Sequence, residues 1–325
     1  MRESMVRFSV VAAAALAAST AALAQNWPVK PIRFIVPFPP GGTTDIQARM
    51  INDRLAARIG QPVVLDFRSG ANAAIGMEIT ARAPADGYTM IISTVGSWAV
   101  APHLTKLPYD VQADFAPLIH MATTPGVLIV HPSVPAKSVR ELIALARQRP
   151  GDLTYGSSGI GGFGHICAEL FRVTADIRMN HVPYKGSGPS LLDLMGGHIQ
   201  VLFNSALPTV PHIHSGRMRA LATTGAKRMS ILPELPTIAE AGLKGYENST
   251  WSALGMAART PAPIIDRLNR EINAILQLPE VQDAARADGS LITGGSPEQF
   301  RDTLRSELAK FGKLVKTAGI KGDGN

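Results

Sequence analysis

A chain of 325 residues that is 46% apolar, with a net charge of +7 and one cysteine, can bury a substantial core but cannot form an intramolecular disulfide, so packing must hold it together. Its basic residues are scattered rather than gathered into runs, which excludes a nucleic-acid stripe and leaves a surface that attracts small anions. Length suggests two domains or one large one.

The first 24 residues read as a secretory signal peptide. Arg2 and Arg7 make a positive start, residues 8–18 are apolar, and Ala22-Leu23-Ala24 is a small-residue cleavage pattern ahead of Gln25. The mature protein is therefore expected in the periplasm, soluble, and without a lipid anchor because no cysteine stands at the cleavage point. No later segment approaches the roughly 18 uninterrupted apolar residues of a membrane helix.

From there a short β-branched run, a Gly/Ser/Thr turn and a helical period recur. Residues 32–36 form a strand, and the turn PPGGTTD leads into a helix that shows Ile51, Leu55 and Ile59 on one face and stops at Gly60. Strands follow at 61–65 and 88–93, the latter ending in a small-residue turn at 94–97. A strand at 127–131 precedes a helix opened by Ser138 and Glu141, a capping-box pair, and closed by Pro150-Gly151. The strand 153–155 runs into GSSGIGGFGH, a helix covers 165–173, and 180–183 is extended. KGSGPS opens the helix that ends before Gly196, and 199–203 and 220–223 complete a second set of strands. Beyond Thr260 the chain is helical, with strong starts at Thr260-Pro261 and at Ser296-Pro297 with Gln299, the last helix reaching about residue 317. Alternating strands and helices predict an α/β architecture of parallel type.

Three of these turns carry chemistry: 39–45, 156–165 and 185–190. Each joins a strand to a helix through small residues, so the unpaired N–H groups of the helix start can meet an anion at close range. Thr43, Thr44, Ser157, Ser158 and Ser187 add hydroxyl donors. In open α/β sheets ligands lie at the carboxyl ends of the strands, where such turns occur. Turn and capping preferences alone also favour Gly, Ser, Thr and Asp at these places. Residues 159–164, GIGGFG, also fit the dinucleotide fingerprint, but the acid expected about 20 residues on is replaced by the neighbourhood of Lys185. Catalytic patterns are missing: Ile160 interrupts a G-x-S-x-G elbow, no H-E-x-x-H occurs, and His212 and His214 lack a third metal ligand. No catalytic residue, metal or cofactor is expected. Cys167 is read as core, and Asp45 as a first-turn residue complementing its helix dipole.

IRFIVPFPPGGTTD, APADGYTM, LTYGSSG, HVPYKGSGPSLLDLMGGHI, SGRMRALATTGAKR and LPTIAEAGLKGYE, in that order across the mature chain, resemble the Bug-type receptors of tripartite tricarboxylate transporters. The resemblance implies a type II periplasmic-binding-protein fold, two α/β lobes joined by crossing strands, with 25–126 and 251–325 forming lobe one and 127–250 lobe two. Residues 127–131 and 251–256 would be the crossing strands. It further implies a monomer that takes a small organic acid to membrane permease subunits; the alternatives are an exported α/β nucleotide-binding protein or enzyme using the GIGGFG turn, and a ligand sensor feeding a membrane kinase. Carried over, the lobe-one contacts are Phe38, Pro40, Gly41, Gly42, Thr43 and Thr44, with Asp45, Gly96 and Ser97 beside them. Lobe two would supply Ser157, Ser158, Gly159, Gly161, Phe163, His165, Tyr184, Gly186, Ser187 and Asn204, while Lys185 is expected to face outward or toward the rim. Where relatives often read GSAGNGSSQH, this chain has GSSGIGGFGH. Ile160, Gly162, Phe163 and Gly164 thus exchange hydrogen-bonding capacity for apolar contact, which predicts a ligand with one carboxylate and an apolar or aromatic remainder.

Overall fold

The computed structural model describes residues 27–184, 186–287 and 289–322. Residues 1–24, read from the sequence as a signal peptide, and Lys185 lie outside the described residues.

Strand β1 (Ile32–Val36) carries the chain into helix α1 (Thr43–Ile59), and β2 (Val63–Phe67) returns beside it. β1 is parallel both to β2 and to β3 (Thr89–Thr94). Helix α2 (Ala74–Ala81) connects them, and β3 runs into a wide helical turn, Gly96–Val100. The long strand β4 (Phe115–Val130) follows, then α3 (Val139–Gln148), β5 (Thr154–Ser157), α4 (Phe163–Ala175), β6 (Asn180–Pro183), α5 (Ser187–Met195), β7 (Val201–Ser205) and β8 (Arg219–Thr223). β9 (Ser249–Ala257) brings the chain back to α6 (Ala262–Leu276), α7 (Pro279–Ala287), the short β10 (Leu291–Ile292) and α8 (Pro297–Ala318).

The sheet order is β2-β1-β3-β9-β4-β7-β5-β6, with β8 and β10 also paired to β4. Each end of this order is parallel, as the sequence predicts, whereas the middle is not: β9 is antiparallel to both β3 and β4, and β4 is antiparallel to β7 and β8. β4 pairs with β9 from Phe115 to Pro125 and with β7 from Gly126 to Val130, so it belongs to both halves. Sequence patterning finds only its last third. Pro117 and Pro125 disguise the rest: Pro117 sits beside a register shift and Pro125 where the partner changes, the two places a strand tolerates a residue with no N–H.

Among the described residues four apolar clusters fill the layers. Ile51, Leu55 and Ile59 of α1 pack with Leu268, Ile272 and Ile275 of α6 over Phe34, Ile92 and Leu254. The opposite face holds Trp98, Phe115, Phe300 and Phe311. In the second half Tyr155, Phe171, Phe203 and Tyr246 pack on one face, and Val127, Ile129, Leu194 and Leu202 on the other. The halves meet outside the shared strands as well. Ile166 of α4 lies among the α8 side chains, and Arg172 donates to the Ala318 carbonyl at 3.1 Å. Cys167 is fully buried; Asn248 Nδ2 donates to its Sγ at 3.2 Å, and burial pushes the thiol up to about 12.

Candidate functional site

The first turn follows from its residues. Gly41 adopts φ +86°, a left-handed conformation that suits glycine, and Gly42 is the extended N-cap of α1 with no side-chain cap. Asp45, buried, closes the turn from within: its Oδ2 accepts from the Gly41 N–H at 2.8 Å and its Oδ1 from Arg49 Nε at 2.7 Å. The Gly41 amide is therefore taken, and since the first intrahelical bond runs from the Ile46 N–H to the Gly42 carbonyl at 3.0 Å, the donors of Gly42, Thr43, Thr44 and Asp45 have no intrahelical acceptor. Arg49 neutralises the carboxylate that would otherwise repel an anion here.

The second turn is built on a stack of rings. Tyr155, His181 and His165 lie nearly parallel, with centroids 4.7 Å apart for the first pair and 4.1 Å for the second. His165 Nδ1 accepts from the Gly161 N–H at 3.0 Å, while Ser157 Oγ meets His181 Nε2 at 2.7 Å and accepts from the Gly159 N–H at 3.2 Å. Ser157 and His165, both buried, thus hold the 158–162 loop from beneath rather than line a cavity. Tyr155 donates to Glu169 at 2.6 Å, and Glu169 pairs with Arg172 at 2.7 Å. Gly162 caps α4 without a side-chain bond. A side chain on Gly164 would collide with the Phe203 carbonyl of β7, a contact that neither element can relieve by rotating a bond. Gly164→Ala is accordingly expected to cost roughly 1–3 kcal/mol, read as a lower urea midpoint at unchanged slope; an unchanged midpoint would show that α4 can move off the sheet.

In the third turn Gly186, at φ +110°, is the uncapped N-cap of α5, and Ser187 begins the helix. The Tyr184 hydroxyl donates to Asp193 at 2.6 Å. Asn204, buried at the end of β7, accepts from the Ser205 N–H through Oδ1 and leaves Nδ2 without a partner. Ser97 accepts from Ser93 at 2.9 Å, in the interior.

These turns open on one cleft between the halves. Its outer chamber, about 650 Å³, is lined by Phe38, Pro40, Gly41, Gly42, Thr43 and Thr44 from one side and Phe163, Gly186 and Ser187 from the other. Phe38 and Phe163 also border an inner chamber of about 180 Å³ together with Gly96, Ser158 and Gly161. Ser158, Gly162 and Asn72 lead on to a third space of about 750 Å³, bordered also by Gly159 and Ile160. Asp45, Ser97, Ser157, His165, Tyr184 and Asn204 do not border these chambers; they support the segments that do. Among the described residues no charged side chain lines the outer or inner chamber. An anion there meets helix-start amides and hydroxyls, whereas a cation would find no counter-charge.

Sequence reading misses Gln47, Thr94, Thr124, Thr250, Trp251 and Ser252, all in the outer lining. The available signal is a hydroxyl residue ending or interrupting an apolar strand, as in MIIST and STWSALGM. It also misses Asn72, which borders both deeper chambers and lies, with Ala71 and Ala73, at positive φ. Non-glycine residues held there store strain of about 1–3 kcal/mol each, and such strain concentrates at ligand sites.

A family model described as "Tripartite tricarboxylate transporter family receptor" matches residues 47–320. Protein BugT of Bordetella pertussis is 36% identical over 313 residues, covering 96% of this chain and 95% of its own. Among solved structures, R. palustris Rpa4515 with adipate is similar at TM-score 0.81 and 40% identity, over 92% of this chain and 100% of that one. MatC (Rpa3494) from Rhodopseudomonas palustris, with bound malate, is similar at TM-score 0.76 and 27% identity, over 89% and 100% respectively.

Proposed function

Because the chain belongs to the tripartite tricarboxylate transporter receptor family and has its two-lobed type II periplasmic-binding-protein fold, we propose that it captures a small organic carboxylate in the periplasm and hands it to membrane permease subunits. It acts as a monomer and does no chemistry. Lobe one is 25–126 with 251–325 and lobe two is 127–250, a division supported by the change of partner in β4 at Pro125–Gly126. The observation that carries the reading is that two uncapped helix starts, those of α1 and α5, come from opposite halves to a cavity whose described lining has no charged side chain. The ligand-bound relatives, one with adipate and one with malate, support an organic acid.

In this reading Thr43 and Thr44 hold the carboxylate from one lobe and Gly186 and Ser187 from the other. Phe38, Phe163 and Ile160 then face an apolar or aromatic remainder. Micromolar affinity needs about 8 kcal/mol. Hydrogen bonds to a charged group supply roughly 1.5–3 kcal/mol each. Three or four of them, with apolar burial on closure, reach that figure after the costs of association.

Calorimetry with benzoate, adipate, citrate and ATP tests this. Binding of an acid carrying an apolar segment, with no heat from ATP, is the expected result. Citrate binding far more tightly than the others would remove the apolar remainder, and ATP binding without any acid would overturn the reading.

A further inference from the structure

On the α1 side, the sheet is apolar in its depth and becomes polar where it meets the outer chamber. β3 presents Met90 and Ile92, then Thr94; β9, running the other way, presents Met256 and Leu254, then Ser252; β4 presents Ala122, then Thr124. The register sets Thr94 opposite Ser252 and Thr124 opposite Thr250. Gln47 completes this floor from α1, one turn beyond Thr43, and helix side chains lean back toward the N-terminus. Thr124 is satisfied, its Oγ1 lying 2.7 Å from Ser290 Oγ. Gln47 Oε1 and Ser252 Oγ are not: both are buried without a hydrogen bond, in residues only 2% and 3% exposed. A native fold rarely keeps two such atoms together unless something else fills them, since each costs about 1–3 kcal/mol.

Building on the carboxylate reading above, we propose that this floor binds a hydroxyl group of the ligand, and that the preferred ligand is a 2-hydroxy acid. Its carboxylate lies at the Thr43 and Thr44 amides; its hydroxyl donates to Gln47 Oε1 and accepts from the Ser252 hydroxyl. The unfilled atom on Gln47 is an acceptor, so a second carboxylate would be repelled from it. An ammonium group would satisfy Gln47 but would stand at a helix N-terminus, which repels cations, in a lining without an acid among its described residues. A hydroxyl gives and takes one hydrogen bond at once, as this pair of residues requires. Sites that pair with a ligand hydroxyl reject the analogue lacking it because their own groups are left bare.

The test is calorimetry with two pairs that differ only in the hydroxyl: malate against succinate, and 3-phenyllactate against 3-phenylpropanoate. In the wild-type protein the hydroxy member of at least one pair binds about tenfold or more tightly than its partner, a difference of about 1.4 kcal/mol. Gln47→Leu and Ser252→Ala each bring that ratio close to one; should Gln47→Leu fail to fold, Ser252→Ala carries the same comparison. Equal or weaker binding of the hydroxy acids by the wild type, or a preference that survives both substitutions, overturns the proposal while leaving the carboxylate reading in place. Absence of binding by all four acids overturns the proposal, and absence of binding by benzoate, adipate and citrate as well overturns the carboxylate reading.

Discussion

Gly42→Val abolishes the rise in melting temperature that an organic acid produces, and leaves the ligand-free protein folded. Gly42 sits at φ −85° and ψ 172°, extended backbone that valine adopts readily, and the nearest atom to an added Cβ is the Pro39 carbonyl oxygen at 3.8 Å. The substitution therefore costs the fold at most about 1 kcal/mol at an N-cap position. Its two methyl groups, however, stand in the lining of the outer chamber beside the α1 amides. Loss of one or two charge-assisted hydrogen bonds, roughly 1.5–3 kcal/mol each, weakens binding about 100-fold. A ligand that binds only the native state raises the melting temperature according to its concentration over its Kd, so the rise disappears at concentrations that saturate the wild type. Gly41→Val is the poorer experiment, because φ +86° adds about 1–2 kcal/mol of backbone strain to any effect on the ligand. An unchanged thermal response in Gly42→Val would place the ligand elsewhere.

Acid weakens the fold well before the carboxylates titrate. Burial holds His165 down to about 4, with the His181 ring beside it acting in the same direction, Glu169 opposing and Arg172 adding a little. His120, buried next to Trp251 and Phe300, is likewise held down by burial to about 4. In the unfolded chain both titrate near 6.5. Above that value neither state carries the protons, and the stabilisation is complete. Between 6.5 and 4 the unfolded chain binds protons that the native rings refuse, so stability falls as pH falls, by up to about 1.4 kcal/mol per pH unit for each ring. His181, also lowered by burial, adds to the same slope. Burial pulls Asp66 and Glu271 upward, but the combined effect of Arg33 with Arg68 and of Arg58 with Arg270 holds them below their usual values, so they contribute only in more acidic solution. Urea midpoints at pH 7.0 and 5.0 read the effect. His165→Gln, which keeps an acceptor for the Gly161 amide, should flatten the profile. Equal midpoints at the two pH values would mean that the rings take up protons without opening the loop they support.

The parts of the structure that are legible in the sequence are those governed by local rules. β1 and β6 match their expected bounds, α1 stops at Gly60, and Ser296 and Gln299 form the reciprocal cap that their spacing predicts. Ser138 accepts from the Glu141 amide as expected, yet the Glu141 carboxylate reaches the Lys137 amide instead of closing the box. Three glycine-rich turns lead, as their residues predict, into helix starts at Thr43, Phe163 and Ser187 that border the cleft. What the sequence hides depends on partners far away. The first two-thirds of β4 is a strand only because β9 lies beside it. Gln47 and Ser252 read as ordinary residues of an amphipathic helix and a strand until the sheet brings them together. His165 looks like a ligand contact beside its glycines, and the ring stack reveals it as a support for the loop.

The seclusion of Cys167 has a practical side. With its sulfur sealed beneath Asn248 and its proton held to about 12, the native thiol offers nothing to a maleimide. Cysteines introduced at Ile75 and Leu192, exposed on α2 and α5 in opposite halves, can therefore take a donor and an acceptor dye without first removing the original. Energy transfer between them would then report, solute by solute, whether the two halves draw together.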